Sequence, residues 1–178
     1  MKRRSPTDSR DAARSGELAI RRIGTDDWSA LRAIRLEALA DTPDAYGSTY
    51  EGTVDFSTRR WKAMASESRY WLAERDVDVL GMVSGGFNDQ HPGTHWLYGM
   101  YVTPPARGSE AAPRLVVAVS DWARGDGASE LYLHVTASVE RARAFYQKMG
   151  FVETGESFTM ERNRTLQLIT MRRPLVDE

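Results

Sequence analysis

The first third of the chain alternates between a strand pattern and two helical patterns. The stretch "ELAIRRIG" places apolar side chains at nearly every second position, which predicts a first strand. Apolar residues then recur every three or four positions from Trp28 to Leu39, which predicts a helix that Thr25 caps and Pro43 ends. The segment "STRRWKAMASES" predicts a shorter helix capped by Ser57, and "DAYGSTYEGT" between the two helices predicts a loop.

The middle third predicts a hairpin, a central strand and a long helix. The stretches "RYWLAERD" and "DVLGMVSGGFND" read as two strands that turn at Asp76 to Asp78. After a turn at "QHPGT", the stretch "HWLYGMYVTP" has bulky residues on both faces, as expected of a central strand. The helical pattern "SEAAPRLVVAVSDWARGDG" follows. Pro113 is tolerated only in a first turn, so this helix should begin near Ser109 or Glu110.

The last third predicts a strand, a short helix and a terminal pair of strands. The strand is "SELYLHVTA", in which His134 alternates with Leu133 and Val135, and the helix is "SVERARAFYQKMG". Ser138 is its expected N-cap and Gly150 its expected stop. "FVETGES" and "TLQLITMRRPL" complete the sheet. The order predicts an α/β fold whose central sheet is mixed and mostly antiparallel, with about seven strands flanked by about four helices.

The length and the charge balance limit the classes of protein to consider. The 178 residues suffice for one domain with a sizeable core, predicted at 17–178, after a charged tail at 1–16 that reads as disordered. Lys plus Arg number 24 and Asp plus Glu 25, which argues against a dedicated nucleic-acid binder. Because no apolar run has the length of a membrane span and the N-terminus lacks the apolar core of a signal peptide, we expect a cytoplasmic protein.

The absence of cysteine excludes disulfides, a thiolate nucleophile and a thiolate metal site. His91 and His95 have the spacing of a helical ligand pair, but Pro92 and Gly93 between them exclude a helix. His134 is distant in sequence from both. No metal site is therefore predicted.

The stretch "YVTPPARGSEAAPRLV" is the first candidate for a binding site. A strand that turns through Arg-Gly into a helix N-terminus presents unpaired N–H groups and a partial positive charge, which stabilise an anion. Arg107 would add a formal charge with bidentate hydrogen bonds. Taken alone, the pattern favours a plain strand-to-helix turn.

The order of elements and a second motif together resemble the GCN5-related N-acetyltransferase (GNAT) superfamily. That family has a loop Q/R-x-x-G-x-G/A after its fourth strand, and "RGSEAA" stands in that place. Its later strand and helix read roughly V-x-x-x-N-x-x-A-x-x-L/F-Y-x-x-x-G-F, to which "VTASVERARAFYQKMGF" is similar. "LRAIRLEALADTPDAYGS" also looks like the first-helix region of many bacterial members. The resemblance runs from Glu17 to about Leu175 and implies a single-domain GNAT-like fold.

The resemblance implies acetyl-CoA as co-substrate. The central strand would offer backbone groups to the pantetheine arm at Met100, Tyr101 and Val102. Tyr146 would act as general acid and protonate the departing thiolate, a role that a phenol can fill; from the residue pattern alone it is equally a packing residue of an amphipathic helix. The pyrophosphate would lie on the loop made by Arg107, Gly108, Ser109, Glu110, Ala111 and Ala112.

Two positions depart from the family pattern. Glu110 stands at the middle glycine of the loop, where its carboxylate would repel a pyrophosphate or, pointing outward, would favour the first turn of the helix. Val139 stands in place of the family's asparagine and removes a hydrogen bond to the cofactor or the backbone. Both departures bear on acetyl-CoA affinity, and neither changes Tyr146.

The acceptor side offers candidates without a decisive pattern. A base that takes a proton from the amine could be Glu37 on the first helix, Glu51 in the following loop or His134, whose side-chain type has a suitable ordinary pKa. Each also reads as an ordinary solvated or packed residue. Aromatic residues such as Tyr46, Tyr50, Trp71, Trp96, Tyr98 and Tyr101 suggest an aromatic-lined cleft. The predicted substrate-binding residues are Arg35, Glu37, Tyr46 and His134.

The resemblance implies transfer of an acetyl group from acetyl-CoA to a primary amine of a small molecule. The amine would attack directly in a ternary complex, since there is no cysteine to form a covalent enzyme intermediate. Two alternatives stay open: a protein or peptide N-acetyltransferase, and a non-catalytic acyl-CoA-binding or regulatory protein of this fold. A homodimer is compatible with the resemblance, although no sequence feature specifies an interface.

Overall fold

The computed structural model describes residues 16–67 and 69–175, so nearly all of the predicted tail, residues 1–15, lies outside the described residues. In this part of the chain, five α-helices and seven strands follow one another in the order that the patterns predicted, except for one short helix that they did not predict. The helices are α1 Trp28–Asp41, α2 Glu51–Val54, α3 Thr58–Glu67, α4 Ala111–Gly125 and α5 Glu140–Lys148. The strands are β1 Ala19–Arg22, β2 Arg69–Arg75, β3 Asp78–Asn88, β4 His91–Val102, β5 Glu130–Thr136, β6 Val152–Thr159 and β7 Gln167–Pro174.

All seven strands form one sheet with the order β1-β2-β3-β4-β5-β7-β6. Only the β4–β5 pair is parallel, and α4 makes the crossover between these two strands. All other neighbours are antiparallel. The predicted α/β class with a mixed, mostly antiparallel sheet is confirmed, and α2, a single helical turn, begins within the stretch predicted as loop.

Helices cover the two faces of the sheet. On one face, hereafter the α4 face, α4 buries Leu115, Val116 and Val119 against the sheet residues Leu131 and Leu133. Side chains this size each contribute about 1.5–3 kcal/mol when fully buried. The i, i+1, i+4 spacing of the three helix residues explains why one stripe of α4 faces the sheet.

The opposite face, hereafter the α1 face, is covered by α1 and α3. Leu31, Ile34 and Leu39 of α1 pack with Leu72 of β2 and Met82 of β3. This cover does not extend evenly across the sheet. Alternate residues of β5 show the difference, because Leu131, Leu133 and Val135 on the α4 face are buried while Tyr132 and His134 on the α1 face are half-buried, as the alternation predicted.

The start of α1 differs from the prediction. Thr25 is not its cap, because residues Thr25–Asp27 form a 3-10 turn and α1 begins at Trp28. The Asp27 carboxylate instead accepts the Gly24 N–H at 2.9 Å, which holds the chain at the entry to the turn. Ser57 does cap α3, since its hydroxyl accepts the Arg60 N–H at 3.3 Å.

Three other boundaries also move. The β3–β4 turn lies at Asp89 and Gln90 rather than at "QHPGT", and β4 already begins at His91. The Asn88 side chain stabilises this turn by accepting the Gln90 N–H at 2.9 Å. Helix α4 begins at Ala111, one residue later than the later of the two predicted starts. The N-cap of α5 is Val139 and not Ser138, because the Val139 carbonyl accepts the first helical N–H groups.

Candidate active site

Strands β4 and β5 separate beyond their first three paired residues. Their ladder ends at Leu97 and Leu133, yet β4 continues to Val102 and β5 to Thr136. We call the gap between residues 98–102 and residues 134–136 the splay. It opens on the segment Met100–Val102, where the sequence placed the pantetheine contacts.

A bulge in β4 explains the separation. Gly99 has φ +58, a left-handed conformation that glycine adopts at no steric cost. At this point the pairing between β3 and β4 shifts register, from Met82 opposite Tyr101 to Ser84 opposite Tyr98. The extra residue turns β4 away from β5 and leaves Gly99 half-buried in the middle of the sheet.

The segment after α1 bridges the splay. The Tyr46 hydroxyl donates to the Met100 carbonyl of β4 at 2.9 Å, and Thr136 of β5 donates to the Asp44 carbonyl at 2.9 Å. Arg162, between β6 and β7, donates through Nε to the Tyr46 carbonyl at 2.8 Å. Burial raises the pKa of Tyr46 well above its ordinary value of 10, so its hydroxyl stays protonated and keeps donating to Met100.

Tyr146 lies on α5 with its ring in the α4-face core. The side chain is 7% exposed and contacts the rings of Phe145 and Phe151, with centroids 5.2 and 5.7 Å away. Burial, and to a smaller extent the neighbouring Tyr46, raises the pKa of Tyr146 well above 10. The phenol is therefore protonated at neutral pH and has a proton to give, as the predicted general-acid role requires.

Some of the backbone donors in the loop at residues 107–112 already have acceptors. Gly108 has φ +82, and the chain then enters α4. The Ser109 N–H donates to the Ala106 carbonyl at 3.2 Å, and the Ala111 N–H donates to the Ser109 hydroxyl at 3.3 Å. Pro113 has no N–H, so Ala112 supplies the remaining donor among the first three positions of α4.

Glu110 is exposed, as the milder interpretation of its place in the loop expected. Its backbone has helical angles, φ −71 and ψ −6, and its side chain makes no cap hydrogen bond. The carboxylate therefore lies at the surface beside the N-terminus of α4, where the helix dipole stabilises a negative charge. It also adds negative charge to the place where the sequence predicted a pyrophosphate.

Arg107 is already bound to a carboxylate. Its guanidinium forms an ion pair with Asp41 at the end of α1, and its Nε donates to the Val102 carbonyl at 3.2 Å. The same group lies over the Tyr101 ring, 5.9 Å from its centroid. An anion at this loop would therefore compete with Asp41 for Arg107.

The two acceptor-side residues of α1 have different surroundings. The Arg35 guanidinium donates to the Tyr70 hydroxyl at 3.3 Å and to the Ser48 hydroxyl at 3.4 Å, and lies beside the β4 bulge. The Glu37 carboxylate is exposed and accepts the Tyr101 hydroxyl at 3.1 Å. Both side chains thus reach β4 from the α1 face, Arg35 on the bulge side and Glu37 toward Arg107.

His134 lies between two aromatic rings on the α1 face. Its ring meets Trp96 and Phe158 edge-on, with centroids 4.5 and 4.6 Å away. Burial, with a smaller contribution from His91, lowers the pKa of His134 to about 4. The imidazole is neutral at pH 7 but is too weak a base to hold a proton taken from an amine.

The structure brings some predicted site residues together and keeps others apart. Tyr46 bonds to Met100 at the splay, Met100 packs against the core cluster that contains Tyr146, and Glu37 lies near Arg107 at the end of β4. His134 lies at the β5 edge of the splay, where its ring contacts Trp96 and Phe158 on the α1 face. Glu51 begins α2. Sequence reasoning missed Asp41, Gly99, Ser48 and Arg162, whose contacts join distant parts of the chain, and no local pattern signals them.

Two features of the described residues bear on metals and membranes. Within 16–67 and 69–175, no three His, Cys, Asp or Glu side chains lie together in a way that could hold a metal ion. His95 bonds to Asp126 at 2.7 Å, while His91 packs on Trp96. In the same part of the chain, no helix has the length and apolar character needed to cross a membrane.

Comparison with known proteins identifies the family. A model of the acetyltransferase (GNAT) family matches residues 31–151, which include the splay, the loop and Tyr146. The chain belongs to the acetyltransferase (GNAT) family. It is also 36% identical over 95 residues to human N-acetyltransferase 8, a match that spans 51% of this chain and 41% of the human protein. The matched region is thus less than half of that relative's length.

Solved structures share the fold across most of both chains. A candidate acetyltransferase of Salmonella typhimurium, solved with its cofactor acetyl-CoA, has a TM-score of 0.75 at 20% identity and covers 91% of this chain and 96% of its own. The ribosomal-protein-alanine N-acetyltransferase of Brucella melitensis has a TM-score of 0.70 at 25% identity, with 88% and 99% covered. Both likenesses extend well beyond the region that the family model matches.

Proposed function

We propose that the protein transfers an acetyl group from acetyl-CoA to a primary amine of a small molecule, by direct attack in a ternary complex. The observation that carries the proposal is the splay, because Met100 and Val102 at this gap pack against the core cluster that contains the buried, protonated Tyr146. Membership of the acetyltransferase family supports it. The Salmonella typhimurium structure, which holds acetyl-CoA in the same fold, also supports it.

The chain's own residues fit an acyl-CoA. The separation of β4 from β5 leaves room between two strands of a sheet, and Met100–Val102 would hold the pantetheine arm there. Gly108 leaves open space where a Cβ atom would stand, so a phosphate could approach the loop backbone closely. Arg107 and the Ala112 N–H would bind the pyrophosphate once Arg107 exchanges Asp41 for it.

The chemistry assigns each group one task. Bound acetyl-CoA supplies a thioester carbonyl that a neutral amine can attack. Backbone N–H groups of the bulged segment of β4 stabilise the charge that develops on the carbonyl oxygen. Tyr146 donates its proton to the sulfur as the C–S bond breaks. The amine's own proton leaves through water on the open side of the splay, where the exposed Glu37 carboxylate is available to accept it.

A second candidate acceptor is the N-terminus of a peptide. The likeness to a ribosomal-protein-alanine N-acetyltransferase favours it, as does the half-buried aromatic surface beside the splay. A peptide would lie across the α1 face, whereas a small amine needs only the space beside Gly99. Because the reaction is the same for both kinds of acceptor, a comparison of their turnover distinguishes the two candidate functions.

Thiol release from acetyl-CoA tests the proposal. The purified protein is mixed with acetyl-CoA and, in separate reactions, with small primary amines and with short peptides that have free N-termini. We expect saturable thiol release with small amines and a kcat/KM at least tenfold lower for peptides. Faster turnover of peptides would favour the second candidate, and binding of acetyl-CoA without any turnover would show a non-catalytic protein.

A further inference from the structure

Arg35 places a positive charge beside the predicted reaction centre. Its Nη1 atom lies 3.7 Å from the position that a Cβ atom would take on Gly99. Gly99 is the bulge residue, and it is half-buried although it lies in a central strand. The charge therefore stands at the point where the splay opens toward the α1 face.

The guanidinium of Arg35 is poorly satisfied by the protein. Its two hydrogen bonds go to neutral hydroxyls, on Tyr70 and Ser48, and at 3.3 and 3.4 Å both are long for bonds from a charged donor. Its Nε–H is buried and has no acceptor. The guanidinium charge is thus held only by long bonds from its Nη atoms to neutral groups, so a carboxylate bound at these Nη atoms would stabilise it.

Several other arginines of the molecule are neutralised by a carboxylate. Arg21, Arg107, Arg143 and Arg172 each pair with a carboxylate. Among the ion pairs of the described residues, 16–67 and 69–175, none includes Arg35. Arg75 and Arg173 also have a buried N–H without an acceptor and join none of these ion pairs, so the position of Arg35 beside Gly99 is what distinguishes it.

We propose that Arg35 binds the carboxylate of the acceptor, so that the acceptor is an amino acid acetylated on its α-amine. The proposal rests on the acetyl transfer proposed above. A guanidinium matches a carboxylate in shape and can bind both of its oxygens. Because Arg35 adjoins Gly99, a bound carboxylate would place an amine two bonds away beside the bulged segment of β4.

The surface next to Arg35 fits an apolar or aromatic amino-acid side chain. Along β4 on the α1 face, Tyr98 precedes Gly99 and its ring stacks on that of Trp96, with centroids 6.2 Å apart. Tyr98 is half-buried, so part of its ring is open to a ligand. Phenylalanine is therefore the first probe, since it has both a carboxylate next to its α-amine and an aromatic side chain.

Matched acceptors test the proposal in the unmodified protein. Turnover is measured by thiol release for phenylalanine, phenylalaninamide and phenethylamine, and the series is repeated for leucine, methionine and glutamate. Loss of a charge-assisted contact should cost roughly tenfold to hundredfold in kcat/KM for the amide and the decarboxylated amine. Equal turnover of acid and amide would overturn the role of Arg35 while leaving acetyl transfer intact.

Variants assign the effect to Arg35. In Arg35→Gln we expect kcat/KM for phenylalanine to fall roughly tenfold to hundredfold, mainly through KM, while phenethylamine turnover and acetyl-CoA affinity stay unchanged. Arg32→Gln is the matched control, because Arg32 lies one turn earlier on α1 and donates to the Val54 carbonyl at 3.4 Å. Equal losses for phenylalanine and phenethylamine in Arg35→Gln would contradict the proposal.

Direct binding gives a readout without turnover. Phenylalanine is titrated calorimetrically into the protein saturated with CoA, which has no acetyl group to transfer. We expect saturable binding that Arg35→Gln abolishes and Arg32→Gln retains. If acetyl-CoA itself does not bind, or binds but no amine reacts, the proposed acetyl transfer fails and this inference fails with it.

Discussion

The splay and the loop at residues 107–112 serve the two halves of one proposed ligand but are built differently. The splay is formed by buried groups, such as Tyr46 on the Met100 carbonyl and the enclosed Tyr146. The loop is exposed. Its Arg107 is paired with a carboxylate, and its Glu110 faces water. Buried, fixed groups have larger energetic consequences than exposed charges, so we expect the splay to dominate binding and catalysis.

The largest effect should come from Tyr146. Replacement by phenylalanine keeps the packing against Phe145 and Phe151 but removes the hydroxyl that we propose as the proton donor. General acid catalysis is worth about 10²- to 10⁴-fold, so kcat in Tyr146→Phe should fall at least a hundredfold with acetyl-CoA affinity retained. Steady-state thiol release and a calorimetric titration measure the two quantities.

Tyr132→Phe is the control for this substitution. Tyr132 also lies in the sheet region, but its hydroxyl donates to Glu130 at 2.5 Å, on the far side of β5 from α5. Its loss should leave kcat within about twofold. An unchanged rate in Tyr146→Phe would remove this tyrosine from the mechanism and would leave the splay without an acid.

The next effect concerns stability beside the splay. Because burial lowers the pKa of His134 from 6.5 to about 4, the unfolded chain binds more protons than the folded one between these values. The free energy of unfolding is therefore not reduced by this group above pH 6.5, and it decreases as the pH drops toward 4. Between pH 7.5 and 5, urea unfolding should show a loss of roughly 1 kcal/mol from this group once its partial exposure is allowed for.

Two histidine variants test whether this pH dependence of the free energy of unfolding comes from His134. His134→Gln should remove it, since the neutral amide does not titrate. His91→Gln should retain most of it, because burial is the larger cause of the shift and His91 the smaller. A slope that disappears in His91→Gln and persists in His134→Gln would show that His134 is not the group responsible.

A smaller effect is expected at the loop from Asp41. In Asp41→Asn, Arg107 loses its ion-pair partner and becomes available to a pyrophosphate. Exposed ion pairs are worth about 0–1 kcal/mol, so acetyl-CoA should bind roughly threefold more tightly at low salt and the gain should fade at high salt. Weaker binding would show that Asp41 holds Arg107 in the orientation that binding needs.

The smallest effect is expected from Glu110. Glu110→Gly removes an exposed negative charge from the same loop, and acetyl-CoA affinity should rise about twofold at low salt. Asp121→Asn, which removes a charge from the middle of α4, is the control and should change affinity little. A loss of affinity in Glu110→Gly would show that the carboxylate contributes to the site.

The sequence predicted the elements well because each has a local cause. The alternation in β5 predicted which side of the sheet His134 faces, and Pro113 limited where α4 can begin. The predicted starts of β4 and α5 were wrong. Pro92 suggested a turn where His91 already pairs with β3, and Ser138 suggested an N-cap where the Val139 carbonyl accepts the first helical N–H groups. Boundaries depend on single backbone bonds, which residue patterns do not resolve.

The site was less predictable than the fold. The loop motif and the Tyr146 helix could be recognised, but the contacts that define their surroundings join residues far apart in the chain. Arg107 and Asp41 are 66 residues apart in the chain, and Tyr46 and Met100 are 54 residues apart. The bulge at Gly99 is equally hidden, because both Gly93 and Gly99 of β4 take a left-handed conformation and only the folded register shows which of them lies at the splay.

The most direct measurement compares the two halves of the proposed ligand. Acetyl-CoA, acetyl-phosphopantetheine and 3′-phosphoadenosine 5′-diphosphate are each titrated calorimetrically into the protein. The splay predicts one saturable site for acetyl-CoA. Acetyl-phosphopantetheine should retain most of the binding free energy of acetyl-CoA. The nucleotide half should bind at least tenfold more weakly than acetyl-phosphopantetheine. Tighter binding of the nucleotide half, or no saturable binding of acetyl-CoA, would contradict a splay that holds the acyl carrier.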